Sequence, residues 1–201
     1  MEKQEVKSNM QNILFDFIEK FIPLTEEEKI TIESLNLFRS VRKGAILLRA
    51  GQYSTESFFV IKGCIRTFYV VDGVEKTTEF YLEMEGLTPP CVLTNSPSEL
   101  YISCVEDSII SVSNLGMEAE VFQKFPKFEN LCRIFSEQLL AKKQQNFDEY
   151  KTSSPEQRYL NLLKNRSELI HRAPQHQLAS YLGIKPQSLS RLIARIVKNK
   201  K

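Results

Sequence analysis

Basic and hydrogen-bonding side chains recur at helical spacing in the segment HQLASYLGIKPQSLSRLIARIVK, which runs from His176 to Lys198. Apolar residues between Leu189 and Ile196 would form the buried side of a helix and leave the polar residues on the other side. These polar residues are Lys185, Gln187, Ser188, Ser190, Arg191 and Arg195. Gln can make a paired contact with adenine and Arg with guanine, while Ser and Lys can contact base edges or phosphates. The residue types therefore suit a surface that binds DNA.

The same segment has the features of a helix-turn-helix unit. A short helix with an apolar side ends at Gly183, which tolerates a left-handed backbone, and Pro186 begins a second helix. The small side chain of Ala179 lets the second helix cross closely over the first. His176 precedes the first helix, where it would either contact a phosphate or act as a surface cap.

Charge is divided unevenly along the chain, whose overall net charge is +2. Residues 153–201 carry a net +8 and residues 1–152 a net −6, and the stretch from Ile170 to Lys201 has no acidic residue. A basic segment on an acidic body indicates a polyanionic partner, either nucleic acid or an anionic membrane face. A solvated charged tail would lack the apolar periodicity seen here. A helical hairpin that packs internally or docks on a protein is the alternative to DNA binding.

Helices and short strands must position this segment. The region from Met10 to Phe38 predicts two short amphipathic helices, the second of which starts after Pro23 with Thr25 as a cap. From Val41 to Val112 the sequence instead contains short runs rich in Val, Ile, Phe, Tyr and Thr. These runs are GAILLRAGQ, ESFFVIKG, CIRTFYVVDG, VEKTTEFYL, CVLT, ELYISCV and DSIISVS. Short strands at close spacing predict an antiparallel barrel or sandwich, of which the jelly roll is one form, with a hairpin turn at Asp72-Gly73.

Helical periodicity returns from Leu115, and a long helix without Gly or Pro is predicted between Pro126 and Tyr150. One side of this helix is apolar, and it either packs on the barrel or pairs two subunits. The residues assigned to a subunit interface are Phe128, Leu131, Phe135 and Leu139. Pro155, capped by Ser154, then starts another helix, and the charge balance changes at this point. The sequence therefore places a domain boundary there.

HQLASYLGI followed by SLSR resembles the helix-turn-helix of Crp/Fnr-type transcription regulators, and the resemblance extends over nearly the whole chain. It implies an α+β fold in three parts. Residues 1–115 would form a cyclic-nucleotide-binding-like β-roll of the double-stranded jelly-roll type with N-terminal helices, residues 116–152 the connecting and dimerisation helices, and residues 153–201 a winged-helix-like DNA-binding domain. The implied partners are double-stranded DNA, a second copy of the chain and RNA polymerase.

The resemblance is most specific from Ile184 to Arg191. Gln187 and Arg191 match a polar and a basic position with which the family reads the major groove. Pro186 stands where the best-studied members have Arg, so one base contact is missing and the usual family site cannot be assumed. The wing is expected to be smaller than in longer relatives.

In the cyclic-nucleotide-binding family, a Gly-Glu pair and a later Arg hold the ligand's ribose and phosphate. Here Gly86 is followed by Leu87, and Ser98 beside Glu99 takes the place of the Arg. Burying a phosphate without a paired cation is costly, so binding of cAMP or cGMP is expected to be lost. A different small-molecule effector stays open, because Ser98 could donate a hydrogen bond and Arg66 could enter a pocket from a neighbouring strand. Otherwise Arg66 points outward into solvent.

The sequence does not predict an enzyme, a metal site or a cofactor. The two histidines, His171 and His176, both lie in the DNA-binding part, which argues against a cupin-like metalloenzyme, a haem sensor or a His-dependent nucleophile in the roll. The four cysteines are too far apart for a zinc ribbon or an iron–sulfur cluster and are expected to be buried free thiols. They are Cys64, Cys91, Cys104 and Cys132. The polar start MEKQEVKSNMQN and the absence of a long apolar stretch predict a cytoplasmic protein without membrane contact.

Overall fold

Eight strands and nine helices make up residues 2–199, the part of the chain that the computed structural model describes. The strands are β1 (Phe38–Val41), β2 (Ile46–Leu48), β3 (Glu56–Lys62), β4 (Ile65–Val71), β5 (Val74–Tyr81), β6 (Gly86–Leu87), β7 (Tyr101–Cys104) and β8 (Ser108–Asn114). The helices are α1 (Glu2–Glu19), α2 (Glu26–Ser34), α3 (Pro90–Thr94), α4 (Leu115–Lys124), α5 (Pro126–Thr152), α6 (Pro155–Asn165), α7 (Ser167–Arg172), α8 (Gln175–Tyr181) and α9 (Pro186–Asn199).

The strands form two antiparallel sheets, which we call the roll. Strand order is β1-β8-β3-β6 in one sheet and β2-β7-β4-β5 in the other, so the chain changes sheet after every strand except within the β4–β5 hairpin. Apolar side chains from both sheets meet in one core, with Val60 and Ile110 from the first sheet and Ile65 and Ile102 from the second fully buried. This arrangement confirms the predicted α+β fold with an antiparallel roll.

Turn chemistry decides where the sequence-based prediction of the roll is right and where it is wrong. Asp72 and Gly73 have φ of 53° and 74°, which confirms a hairpin turn of the type with two left-handed residues. The run CVLT was predicted as a strand and is part of helix α3. Pro90 lies in the first turn of α3, where its missing N–H costs nothing, and Asn95 ends the helix in the left-handed conformation. Strands β1 and β6 were not predicted.

Helices α1 and α2 pack on the roll together with α5. Thr25 and Glu28 form a reciprocal capping box at the start of α2, which confirms the predicted cap. On α5, Phe128 and Leu131 are buried, and the ring of Phe135 lies 5.7 Å from that of Phe17. Three of the four residues assigned to a subunit interface therefore pack within the chain, because α1 and the roll occupy that side of α5.

The remaining apolar residues of α5 are exposed. Leu139, the fourth residue assigned to the interface, is 40% exposed, while Leu140 is 72% and Phe147 is 57% exposed. Leu139 lies one turn beyond Phe135 on the predicted side, whereas Leu140 and Phe147 lie on a neighbouring side of the helix. The helix thus presents an uncovered apolar side that differs from the one predicted.

Helices α6 to α9 form a second packed unit, which we call the terminal unit. Ser154 caps α6 through a capping box with Gln157, at the boundary predicted from the charge change. Leu169, Ala179 and Leu189 are fully buried in its core, and Phe80 of the roll belongs to the same apolar cluster. Residues 153–199 contain no strand, so the described part of the chain has no wing.

Three of the four cysteines are buried, as predicted, while Cys132 on α5 is exposed. Burial raises the pKa of the Cys64 thiol to about 12, so this group stays protonated and unreactive at neutral pH. Among residues 11–198, whose side chains the structure describes, no three His, Cys, Asp or Glu side chains are grouped so that they would hold a metal ion. No helix within that range has the length and apolar character needed to cross a membrane.

Candidate nucleic-acid interface

Helices α8 and α9 form the predicted helix-turn-helix. Gly183 has φ of +72°, a left-handed conformation that a residue without Cβ adopts without strain. The Ile184 amide donates to the Ala179 carbonyl at 3.0 Å, which closes the end of α8 and turns the chain toward α9. Leu189 and Leu192 face the core of the terminal unit. This packing fixes which side of α9 is exposed.

All seven residues predicted to contact DNA are exposed. They are His176, Lys185, Gln187, Ser188, Ser190, Arg191 and Arg195. Gln187, Arg191 and Lys198 recur at intervals of four and seven residues and therefore lie along one side of α9. The exposed side of α9 has no carboxylate, since α9 contains no Asp or Glu. A phosphate backbone would meet only hydrogen-bonding and cationic groups there.

Ser190 is less available for base contacts than the sequence suggested. Its hydroxyl donates to the Pro186 carbonyl at 3.1 Å and accepts from Nε2 of Gln175 at 3.1 Å. The hydroxyl proton is therefore already in use, and the side chain serves to hold Gln175 beside α9. Gln175 is not among the residues that the sequence predicts to contact DNA, although it stands next to His176 in the first turn of α8.

Arg195 lies at the edge of the exposed surface and forms an ion pair with Glu156 of α6, with 2.5 Å between Nη2 and Oε2. Both side chains are exposed, and such pairs contribute about 0–1 kcal/mol. Glu156 is one of the two acidic residues of the basic segment. A phosphate could replace this carboxylate at little cost, so Arg195 is held near the surface without being committed to Glu156.

Two other arginines of the basic segment, Arg166 and Arg172, face the roll, and Arg172 pairs there with Glu83 and Glu106. Arg166 pairs with Glu79 at 3.1 Å and with Glu85 at 2.8 Å, and its Nη2 also donates to the Phe80 carbonyl at 2.8 Å. Burial alone would raise the pKa of Glu85, but the charge of Arg166 and a hydrogen bond from Lys142 hold that pKa below its ordinary value. Part of the positive charge that indicated DNA binding therefore joins the terminal unit to the roll.

Helix α8 lies against strand β5, the edge strand of its sheet. The Thr77 amide donates to the Ser180 hydroxyl at 2.9 Å, and that hydroxyl donates to the Glu75 carbonyl at 3.0 Å. These contacts occupy the side of α8 that faces the roll. The exposed side of α9 stays uncovered, so the docked arrangement leaves the candidate interface accessible.

The structure does not bring the three predicted effector-pocket residues together. Arg66 alternates with Ile65, which points into the core of the roll, so the Arg66 side chain lies on the outer side of its sheet. There it pairs with Glu75 and donates to Thr77 at 2.9 Å. Arg66 is buried, so it points neither into a pocket of the roll nor into solvent.

The other two pocket residues are also engaged or placed elsewhere. The buried Ser98 hydroxyl donates to the carbonyl of Leu100 at 2.8 Å, and Glu99 is exposed. Neither hydrogen-bonds to Arg66, whose partners are on β5. Within residues 11–198, the Ser98 hydroxyl hydrogen-bonds to the backbone of Leu100 and to no cationic side chain.

No protein-family model and no curated protein matches the sequence. Solved structures match it by fold. FixK2 from Bradyrhizobium japonicum aligns with a TM-score of 0.66 at 14% identity, over 81% of this chain and 85% of that chain. CLP from Xanthomonas campestris, described as a c-di-GMP responsive global regulator, aligns with a TM-score of 0.67 at 13% identity, over 85% of this chain and 92% of that chain.

A CooA variant from Carboxydothermus hydrogenoformans aligns with a TM-score of 0.60 at 17% identity, over 80% of this chain and 76% of that chain. Each of these similarities covers 80% or more of this chain, so each includes at least part of the roll and part of the helical segment that follows it. The chain therefore has the fold of Crp/Fnr-type regulators, with a cyclic-nucleotide-binding-like roll. This confirms at the level of the fold the resemblance seen in the sequence.

Proposed function

We propose that this protein is a homodimeric, sequence-specific DNA-binding transcription regulator that does not respond to cAMP. The observation that carries the proposal is the exposed side of α9. Gln187, Arg191 and Lys198 lie along it, it contains no acidic residue, and a helix-turn-helix holds it away from the roll. Arg191 and Gln187 would read base edges in the major groove, and Lys185 and Lys198 would contact phosphates.

The uncovered side of α5 supports pairing with a second copy. Ser136, Leu140, Lys143, Phe147 and Tyr150 follow the alternating four- and three-residue spacing of a coiled-coil seam. Leu140 and Phe147 are among the exposed large apolar side chains and would be covered in such a dimer. Two copies of α9 would then enter successive major grooves about 34 Å apart on a nearly palindromic site.

The absence of a cAMP response is proposed from the roll. A buried phosphate needs a paired cation, and the nearest candidate from the sequence, Arg66, is committed to Glu75 and Thr77 on the outer side of its sheet. Titration with cAMP and cGMP tests this, and binding at micromolar levels would contradict it.

The DNA-binding function is tested in two steps. Bound sequences are first selected from random DNA, and the selected site is then titrated at several salt concentrations. A phosphate-neutralising interface loses affinity steeply as salt rises. Failure to bind any DNA at low salt would instead favour the alternative in which the terminal unit docks on a protein.

RNA polymerase as a partner follows from the resemblance alone, and co-purification with and without the selected site tests it.

A further inference from the structure

The carboxylate of Glu79 on β5 contacts three separate parts of the molecule. Nζ of Lys143 on α5 lies 2.6 Å from Oε2, and Nη1 of Arg166, at the end of α6, lies 3.1 Å from Oε1. The hydroxyl of Tyr181 on α8 donates to Oε1 at 3.3 Å. Glu79 is 9% exposed. One buried carboxylate thus joins the long helix, the segment that leads into the terminal unit, and the first helix of the helix-turn-helix.

Four groups donate to the Glu79 carboxylate, three of them to Oε1 and one to Oε2. A carboxylate accepts about four hydrogen bonds. Besides Lys143, Arg166 and Tyr181, the Phe80 amide donates to Oε1 at 3.1 Å. Removing the carboxylate would leave Arg166 with Glu85 and the Phe80 carbonyl, whereas Tyr181 would lose the hydrogen bond to Glu79. The contact between α8 and α5 through this group would therefore be lost.

The neighbouring acidic residues join fewer parts. Glu83 and Glu106 both pair with Arg172, at 2.7 and 2.5 Å, and this cluster links the roll to the terminal unit without a contact to α5. Glu85 contacts Lys142 on α5 and Arg166 but not α8. Within residues 11–198, Glu79 is the carboxylate that contacts α5, Arg166 and α8 together.

This connection matters because the position of α9 follows that of α8, which packs directly against it. In the proposed dimer, Leu140 and Phe147 would lie near the axis that relates the two copies, and Lys143, one turn from each, contacts Glu79 within its own chain. Glu79 would then fix each α8–α9 pair relative to that axis. The distance between the two α9 helices determines which half-site spacing a palindrome must have.

We infer that Glu79 is a positioning residue that sets the half-site spacing of the DNA target while making no contact with DNA. The inference rests on the proposed function, since it describes how the same interface is presented. It predicts that loss of the Glu79 carboxylate broadens the range of accepted spacings, whereas loss of a carboxylate that joins only the roll and the terminal unit does not.

The test compares Glu79→Ala and Glu79→Gln with the matched control Glu83→Gln, using palindromes whose half-site separation differs by single base pairs. Glu79→Ala should weaken binding to the best spacing about tenfold and flatten the dependence on spacing. Glu79→Gln should recover part of the selectivity because its amide oxygen still accepts from Tyr181. Glu83→Gln should keep the parent's spacing profile. A parental profile in Glu79→Ala, or an equally flattened one in Glu83→Gln, overturns the inference.

Hydrogen exchange without DNA separates this inference from the proposed function. Thr77 donates to Ser180, so its amide reports on the contact between β5 and α8. In Glu79→Ala, exchange should accelerate about tenfold in residues 75–80 and 175–181 while β3 and β8 stay protected. Unchanged exchange there refutes the coupling. Accelerated exchange in a protein whose parent binds no DNA supports the coupling and rejects the proposed function.

Discussion

The hydroxyl of Tyr150, near the end of α5, occupies the space beside Gly183 in the turn of the helix-turn-helix. A Cβ added at Gly183 would lie 2.4 Å from the Tyr150 hydroxyl oxygen and 3.2 Å from Nη1 of Arg158. The Arg158 guanidinium in turn lies 4.3 Å from the centre of the Tyr150 ring. The long helix and the turn of the helix-turn-helix are therefore in direct contact, and the glycine is required both for its φ and for its lack of a side chain.

Gly183→Ala should destabilise the protein more than Gly44→Ala. Both glycines have positive φ, at +72° and +79°, but a Cβ at Gly44 meets no atom within 4 Å. Backbone strain should cost about 1 kcal/mol at either position, and the collision with Tyr150 should add roughly 1–3 kcal/mol at Gly183. Urea unfolding measures both losses. The collision would be absorbed elsewhere if both variants lost the same unfolding free energy. The same would follow if adding Tyr150→Phe to Gly183→Ala restored no stability.

Arg191→Ala should cost about 1–3 kcal/mol of binding to the selected site and relax the preference at one base pair. The reason is that its guanidinium is exposed on the side of α9 that would enter the groove. Arg42→Ala, which removes an exposed arginine from the roll, is the matched control. Competition between the selected site and random DNA measures the effect. If Arg191→Ala bound both DNAs as the parent does, α9 would not be the reading helix.

Ser190→Ala should leave base discrimination nearly unchanged, in contrast to Gln187→Ala. The Ser190 hydroxyl donates to the Pro186 carbonyl and accepts from Gln175, so its removal loosens Gln175 rather than a base contact. Loss of one such hydrogen bond is worth about 0.5–1.5 kcal/mol of stability. The ratio of specific to random binding, measured by the same competition, reports on the difference. A larger change in that ratio for Ser190→Ala than for Gln187→Ala would assign Ser190 to direct readout.

Leu140→Glu should convert a dimer to a monomer without unfolding it. Leu140 is exposed in the single chain, so the charge is tolerated there, but it would be buried and unpaired in the seam. Leu93→Glu is the control, since Leu93 is 70% exposed on α3 of the roll. Sedimentation equilibrium gives the mass of each variant. A dimeric Leu140→Glu variant would place the subunit interface on another surface.

The stability of the docked arrangement should decrease in acid, and Glu83 should account for part of this. Burial alone would raise the pKa of Glu83, but hydrogen bonds from Arg172 and the Gly63 amide hold it below the ordinary value of 4.5. The stabilisation by Glu83 is thus complete above that value and is lost as pH falls through the lower folded-state pKa. The Glu83→Gln variant lacks this stabilisation at every pH. The difference in unfolding free energy between parent and variant should therefore shrink below about pH 4.5.

Unfolding titrations of the parent and of Glu83→Gln between about pH 7 and 3 check this expectation. A difference that stays constant over this range would mean that Glu83 has the same pKa in the folded and unfolded chains.

Local signals predicted the elements that local chemistry determines. Thr25 and Ser154 cap helices, Asp72-Gly73 forms the hairpin turn, and Gly183 with Pro186 marks the helix-turn-helix, because each of these residues satisfies a backbone requirement within a few positions. The short apolar run CVLT was ambiguous between strand and helix, and the prolines before it decided for the helix.

Features that depend on distant parts of the chain were not predicted. Helix α5 has apolar residues on more than one side, and which of them pack internally depends on the position of α1, to which Phe135 is not linked by any local pattern. Arg66 is paired with β5 and buried, which strand alternation alone does not reveal. Glu79 is unremarkable in the sequence, and its partners Lys143 and Tyr181 lie far along the chain.

The order in which the chain leaves the ribosome gives the contact between β5 and α8 a further consequence. Strand β5 is a sheet edge, and Phe80 on it is covered by residues of the terminal unit. The residues of the roll emerge before those of the terminal unit, so the nascent roll exposes both an open edge and the apolar face around Phe80 until residues 153–199 emerge. Such edges pair readily with other chains, and a product truncated near Ser153 is therefore expected to aggregate.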